Sequence, residues 1–91
     1  MEIITDGGVI SLYPNPVYNN SSITVVYDGT EDEFITIQVY DLLYKIIQWK
    51  TFETKSGTNT LIIQPGFDTS GYYIIRVQGK KKIQSFKVLI E

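Results

Sequence analysis

The sequence contains no cysteine and no histidine. Without cysteine there is no disulfide and no thiolate metal site to support a small core. Without either residue the commonest general bases, nucleophiles and transition-metal ligands are absent. A Ser–Lys pair is the remaining route to an activated serine, and nothing in the sequence marks one. Charge of one sign is also lacking: 8 basic residues face 10 acidic ones, for a net charge of −2. That balance does not point to nucleic acid. No apolar run approaches the ~18 residues of a membrane-spanning helix. The first residues, Met1-Glu2-Ile3-Ile4-Thr5-Asp6, have neither the basic start nor the long apolar stretch of a secretory leader.

What is present is strand chemistry. Apolar residues make up 43% of the 91 residues, and seven are tyrosine. Such a composition supports one folded domain built from strands. Strand patterns recur about every ten residues, separated by Gly, Asn, Asp and Pro turns, which predicts an all-β, immunoglobulin-like antiparallel β-sandwich of about seven strands. The expected strands are 9–13, 22–27, 34–42, 45–52, 58–64, 71–77 and 83–90. Period-two alternation turns Ile23, Val25 and Tyr27 inward, then Ile35, Ile37 and Val39. It does the same for Leu61 and Ile63, for Tyr73, Ile75 and Val77, and for Phe86, Val88 and Ile90. In the fourth strand the adjacent Ile46 and Ile47 break the alternation, which a bulge or an edge position would explain. Pro14 and Pro16 donate no N–H and end the first strand. Residues 1–8 read as the remnant of a linker and 9–91 as the domain.

Several features invite a chemical reading. The acidic run Asp28-Gly29-Thr30-Glu31-Asp32-Glu33 has carboxylates for calcium, but not the EF-hand spacing; it reads as a solvated loop that discourages edge pairing. Lys80-Lys81-Lys82 reads as a solvated hairpin tip. Tyr40, Tyr44, Trp49 and Tyr72 face outward and read as cross-strand pairs on a sheet face, with a sugar-stacking platform as the alternative. The run from Asp68 to Ile75 is similar to the tyrosine corner of immunoglobulin-like domains, with Tyr73 as its tyrosine. No catalytic, cofactor-binding or metal-ligating residue is expected.

Four segments in order carry a family resemblance. They are Leu12-Tyr13-Pro14-Asn15-Pro16, Val39-Tyr40-Asp41-Leu42-Leu43-Tyr44-Lys45-Ile46-Ile47, Gly71-Tyr72-Tyr73-Ile74-Ile75-Arg76-Val77, and Phe86-Lys87-Val88-Leu89-Ile90-Glu91. Together they resemble the C-terminal sorting domain of the type IX (Por) secretion system of Bacteroidetes. One position departs from the family: Tyr44 stands where glycine is usual, which implies a different turn or a strained one.

The resemblance implies a non-catalytic secretion signal at the end of a cargo protein. It carries the cargo through the periplasm and across the outer membrane, to the cell surface or beyond. Its implied partners are the translocon, an outer-membrane shuttle protein, a C-terminal signal peptidase and the upstream cargo domain, with self-association open through edge strands. Phe86, Lys87, Val88, Leu89, Ile90 and Glu91 are the expected recognition residues, with strand addition as a possible mode. Tyr13, Pro14, Asn15, Pro16, Asp41, Gly71 and Tyr73 are expected to be mainly structural. Two other readings remain open here: a carbohydrate-binding or adhesive module, and a passive spacer.

Overall fold

A computed structural model describes residues 7–13, 22–64 and 70–91. It contains seven strands: β1 (Gly8–Tyr13), β2 (Ile23–Gly29), β3 (Glu33–Tyr40), β4 (Ile46–Thr54), β5 (Gly57–Ile63), β6 (Gly71–Gln78) and β7 (Ile83–Ile90). They form two antiparallel sheets, ordered β1-β2-β5 and β4-β3-β6-β7. The seven-strand sandwich is as expected, with most strand limits moved by one or two residues. β3 ends at Tyr40 rather than Leu42, because Asp41 begins a hydrogen-bonded turn. β4 extends to Thr54, whose buried hydroxyl donates to the Glu33 carbonyl at 3.0 Å.

The core lies between the sheets. Ile23, Val25 and Tyr27 of β2 meet Ile35, Ile37 and Val39 of β3, Leu61 and Ile63 of β5, Tyr73, Ile75 and Val77 of β6, and Val88 and Ile90 of β7. These are the side chains that period two assigns to the interior. Each buried aliphatic contributes roughly 1.5–3 kcal/mol. Phe86 points the same way but is only half-buried, as are Val9, Leu12 and Phe52. All four sit on edge strands, where one flank lacks a neighbour.

The break in β4 has both proposed causes. Val39 pairs with Gln48 but Tyr40 pairs with Ile46, so Ile47 is the extra residue of a bulge. β4 is also the edge of its sheet. β1 carries a second bulge at Ile10, between the Val9–Tyr27 and Ser11–Val26 pairs. The two sheets are tied at the β1 and β7 edges. The Val9 N–H donates to Gln84 Oε1 at 2.8 Å, and Lys82 Nζ donates to the Gly7 carbonyl at 2.9 Å.

Candidate functional site

The β3–β4 turn is built on Asp41. Its carboxylate accepts the N–H groups of Leu43 and Lys45, both at 2.9 Å. Its carbonyl accepts the Tyr44 N–H at 3.0 Å, and its own N–H donates to the Lys45 carbonyl at 3.0 Å. This closed ring holds Tyr44 at φ 62°, a left-handed conformation that suits glycine. The turn that the departure at residue 44 left open is therefore the glycine-type one, with tyrosine strained into it. Leu42, Leu43 and Tyr44 stand exposed at its tip.

Residues 86–91 divide by face. Val88 and Ile90 are core, and Phe86 packs against it. Lys87 is exposed on the outer face, with its ammonium 4.4 Å from the centre of the Tyr72 ring. Leu89 shares that face and is half-buried, and Glu91 is exposed. The Gly79 N–H donates to the Lys82 carbonyl at 2.8 Å, which sets the hydrogen-bond phase of the β6–β7 hairpin. By alternation Gln84, Phe86, Val88 and Ile90 bond back to β6, while the backbone groups of Ile83, Ser85 and Lys87 turn away from it. Among the described residues no strand pairs with β7 on that side. A cleft of about 390 Å³ runs there, between Val9–Leu12 of β1 and Ser85–Val88 of β7.

The other expected residues are dispersed. Tyr13 ends β1 and is half-exposed. Pro14, Asn15 and Pro16 lie outside the described residues, as do Asp68 and Thr69 of the tyrosine-corner run. Gly71 opens β6 at φ 140°, which glycine alone accepts readily. Tyr73 is in the core. Asp41, Gly71 and Tyr73 thus occupy a turn, a strand start and the interior, and they form no common site.

The outward aromatics lie on the outer side of the four-stranded sheet and at its β3–β4 turn, with Tyr44, Trp49 and Tyr72 exposed. Trp49 pairs across to Gln38, the Tyr40 hydroxyl donates to Gln38 Oε1 at 3.0 Å, and Lys87 covers the Tyr72 ring. The acidic loop is engaged in turn chemistry. Asp32 Oδ1 accepts the Ser56 N–H at 2.9 Å and Glu33 Oε1 accepts the Lys80 N–H at 2.8 Å. Among the described residues no three acidic groups converge as metal ligands would. A groove of about 720 Å³ opens beside this loop, rimmed by Glu33, Phe34, Thr36, Gln38, Glu53 and Gln78.

Gln84 has no role in the sequence reading, and Arg76 is placed there only by its face. Gln84 is the inward-facing polar side chain that ties β7 to β1; its sequence cue is an amide on the core phase of a strand. Arg76 lies on the outer phase of β6, and its Nε is buried.

The comparisons with known proteins follow the same division between fold and family. A β-glucosidase from Listeria innocua in complex with glucose shares the fold, with a TM-score of 0.62 and 14% identity over 93% of this chain. The same enzyme in complex with gluconolactone gives 0.61 and 13% identity. This chain spans 16% of the length of those chains, and at such identity the likeness is one of fold. No curated protein matches. Residues 11–91 match the family model of the secretion system C-terminal sorting domain, and the chain belongs to that family of type IX sorting signals.

Proposed function

We propose that the type IX machinery reads this domain as a folded, non-catalytic handle, and that the contact runs along β7 by strand addition. The observation that carries the reading is the phase of β7. Its core side chains lock it to the fold, while the backbone of Ser85 and Lys87 faces the open side. An extended segment of the shuttle protein or translocon would pair with that edge, and Lys87 and Glu91 would supply its charged contacts. The sorting unit is residues 9–91, preceded by cargo and read in the periplasm. A C-terminal signal peptidase would act once the cargo has crossed the outer membrane. Asp41, Gly71 and Tyr73 support the fold, as do Tyr13 and the Pro14-Asn15-Pro16 segment.

Proline separates pairing from folding. Ser85→Pro removes an N–H that points away from β6, a substitution edge strands tolerate. Phe86→Pro removes one that bonds to β6 and should unfold the hairpin. In a type IX bacterium, a fluorescent cargo fused to the Ser85→Pro domain should stay folded and fail to leave the cell. Export of that variant at the wild-type level would overturn strand addition at β7.

A further inference from the structure

Apolar side chains crowd the end of the β3–β4 hairpin. Leu42, Leu43, Tyr44, Ile46, Ile47 and Trp49 are all exposed, Leu43 to 89% and Tyr44 to 74%. The turn projects past the last pair of the ladder, Tyr40 with Ile46. An exposed apolar cluster of this kind marks a contact with protein or with lipid. Three observations favour lipid. Hydrocarbon offers no hydrogen bonds, so backbone that enters it must be satisfied from within. The N–H groups of Leu43, Tyr44 and Lys45 are all bonded inside the Asp41 ring, although water would serve them in an ordinary turn. The ring is kept at the expense of a left-handed tyrosine, a strain of the kind found at functional sites. Second, the leucines at the apex are followed by tyrosine and then lysine, the order in which side chains settle through a headgroup layer. The acidic run 28–33 lies at the opposite end of β3, roughly 25 Å away. Of the described carboxylates at the tip's own end, Asp41 is committed to the turn and Glu91 follows β7, two strands away from β3. Third, a type IX sorting signal crosses the outer membrane, so a lipid surface lies on its path.

We propose that this tip inserts shallowly into a phospholipid surface. Leu42 and Leu43 enter the boundary of the acyl chains, while the Tyr44 hydroxyl and the Lys45 ammonium stay at the level of the headgroups. Lys45 gives the contact a preference for anionic lipid. The inference draws on the route across the outer membrane but not on strand addition, because the hairpin end leaves the β7 edge free.

Trp49 is the only tryptophan in the sequence, so Leu43→Trp combined with Trp49→Phe leaves a single reporter at the apex. Mixed with vesicles of phosphatidylcholine and phosphatidylglycerol, its emission should move to the blue and be quenched by bromine placed on the lipid tails. In the otherwise native chain, Leu42→Ser with Leu43→Ser should weaken sedimentation with these vesicles at least about tenfold. Its circular dichroism should match the wild type, because both side chains stand free of the core. Ile62→Ser, which removes an apolar side chain exposed on β5, should bind like the wild type. Emission that stays unshifted, or a double-serine chain that binds as well as the wild type, would overturn insertion. So would an equal loss in Ile62→Ser, which would mean general apolar adhesion. Lost export of the double-serine chain, with no vesicle binding by the wild type, would assign the tip to a protein pocket and overturn the choice of lipid. The vesicles hold no translocon, so failure here leaves the sorting role standing.

Discussion

Residue 44 sits in a glycine conformation and carries tyrosine, because the four hydrogen bonds centred on Asp41 leave the backbone no other path. Left-handed backbone costs an L-residue about 1–2 kcal/mol, part of which glycine returns through its greater freedom when unfolded. Tyr44→Gly should therefore raise stability by about 0.5–1 kcal/mol in urea unfolding. Asp41→Ala should lower it by about 1–2 kcal/mol, while Asp41→Asn, which keeps an acceptor oxygen, should retain most of the wild-type value. Tyr27 gives a pH signature. Burial pushes its hydroxyl above the ordinary value of 10.0, and the charges of Glu33 and Asp28 push it further in the same direction. The folded chain thus holds this proton more tightly than the unfolded one. The resulting stability is intact below pH 10.0 and is lost as pH climbs through the folded value. Urea midpoints measured between about pH 8 and pH 11 should fall less steeply in Tyr27→Phe than in the wild type.

At the scale of elements, β7 shows how a strand divides its labour by parity. Ile90→Ala opens a hole in the core and should cost about 2–5 kcal/mol, whereas Lys87→Ala gives up only its contact with Tyr72, about 0.5–1 kcal/mol. Calorimetry on the two variants checks the contrast. The strands and their inward faces were legible in the sequence because period two is a local signal, and every side chain of the buried cluster falls on its expected phase. Phe86 has the right phase but an incomplete neighbour, since a strand's place in the sheet order is not written in its own residues. The bulges at Ile47 and at Ile10 each fall on two adjacent apolar residues, Ile46-Ile47 and Val9-Ile10, but only the first is read as a break in alternation. Thr54 and Gln84 were not legible. Their hydrogen bonds reach Glu33 and Val9, partners far away in the chain. The linked N-terminal segment around Pro14-Asn15-Pro16 lies outside the described residues, so its part in ending β1 stays a sequence-based expectation.

At the scale of the whole molecule, the domain is a cysteine-free sandwich whose buried cluster draws on β2, β5, β3, β6 and β7, with Phe52 of β4 packed against it. That coupling bears on how the sorting function can be tested. Removing residues 86–91 takes Val88 and Ile90 out of the core, so lost export by such a truncation would report unfolding as readily as lost recognition. Gly79 imposes a similar constraint at the opposite end. A Cβ there would lie 2.8 Å from Glu33 Oε1 and 3.0 Å from the Tyr27 hydroxyl. Gly79→Ala should therefore lower the melting temperature and expose the domain to proteolysis. The intact domain is the object to test. The most direct measurement fuses residues 9–91 behind a fluorescent protein with an inner-membrane export signal and follows it in a type IX bacterium and in its translocon-deficient strain. Fluorescence outside the cell that depends on the translocon is the predicted result. A folded fusion that remains in the periplasm of both strains would contradict the sorting role.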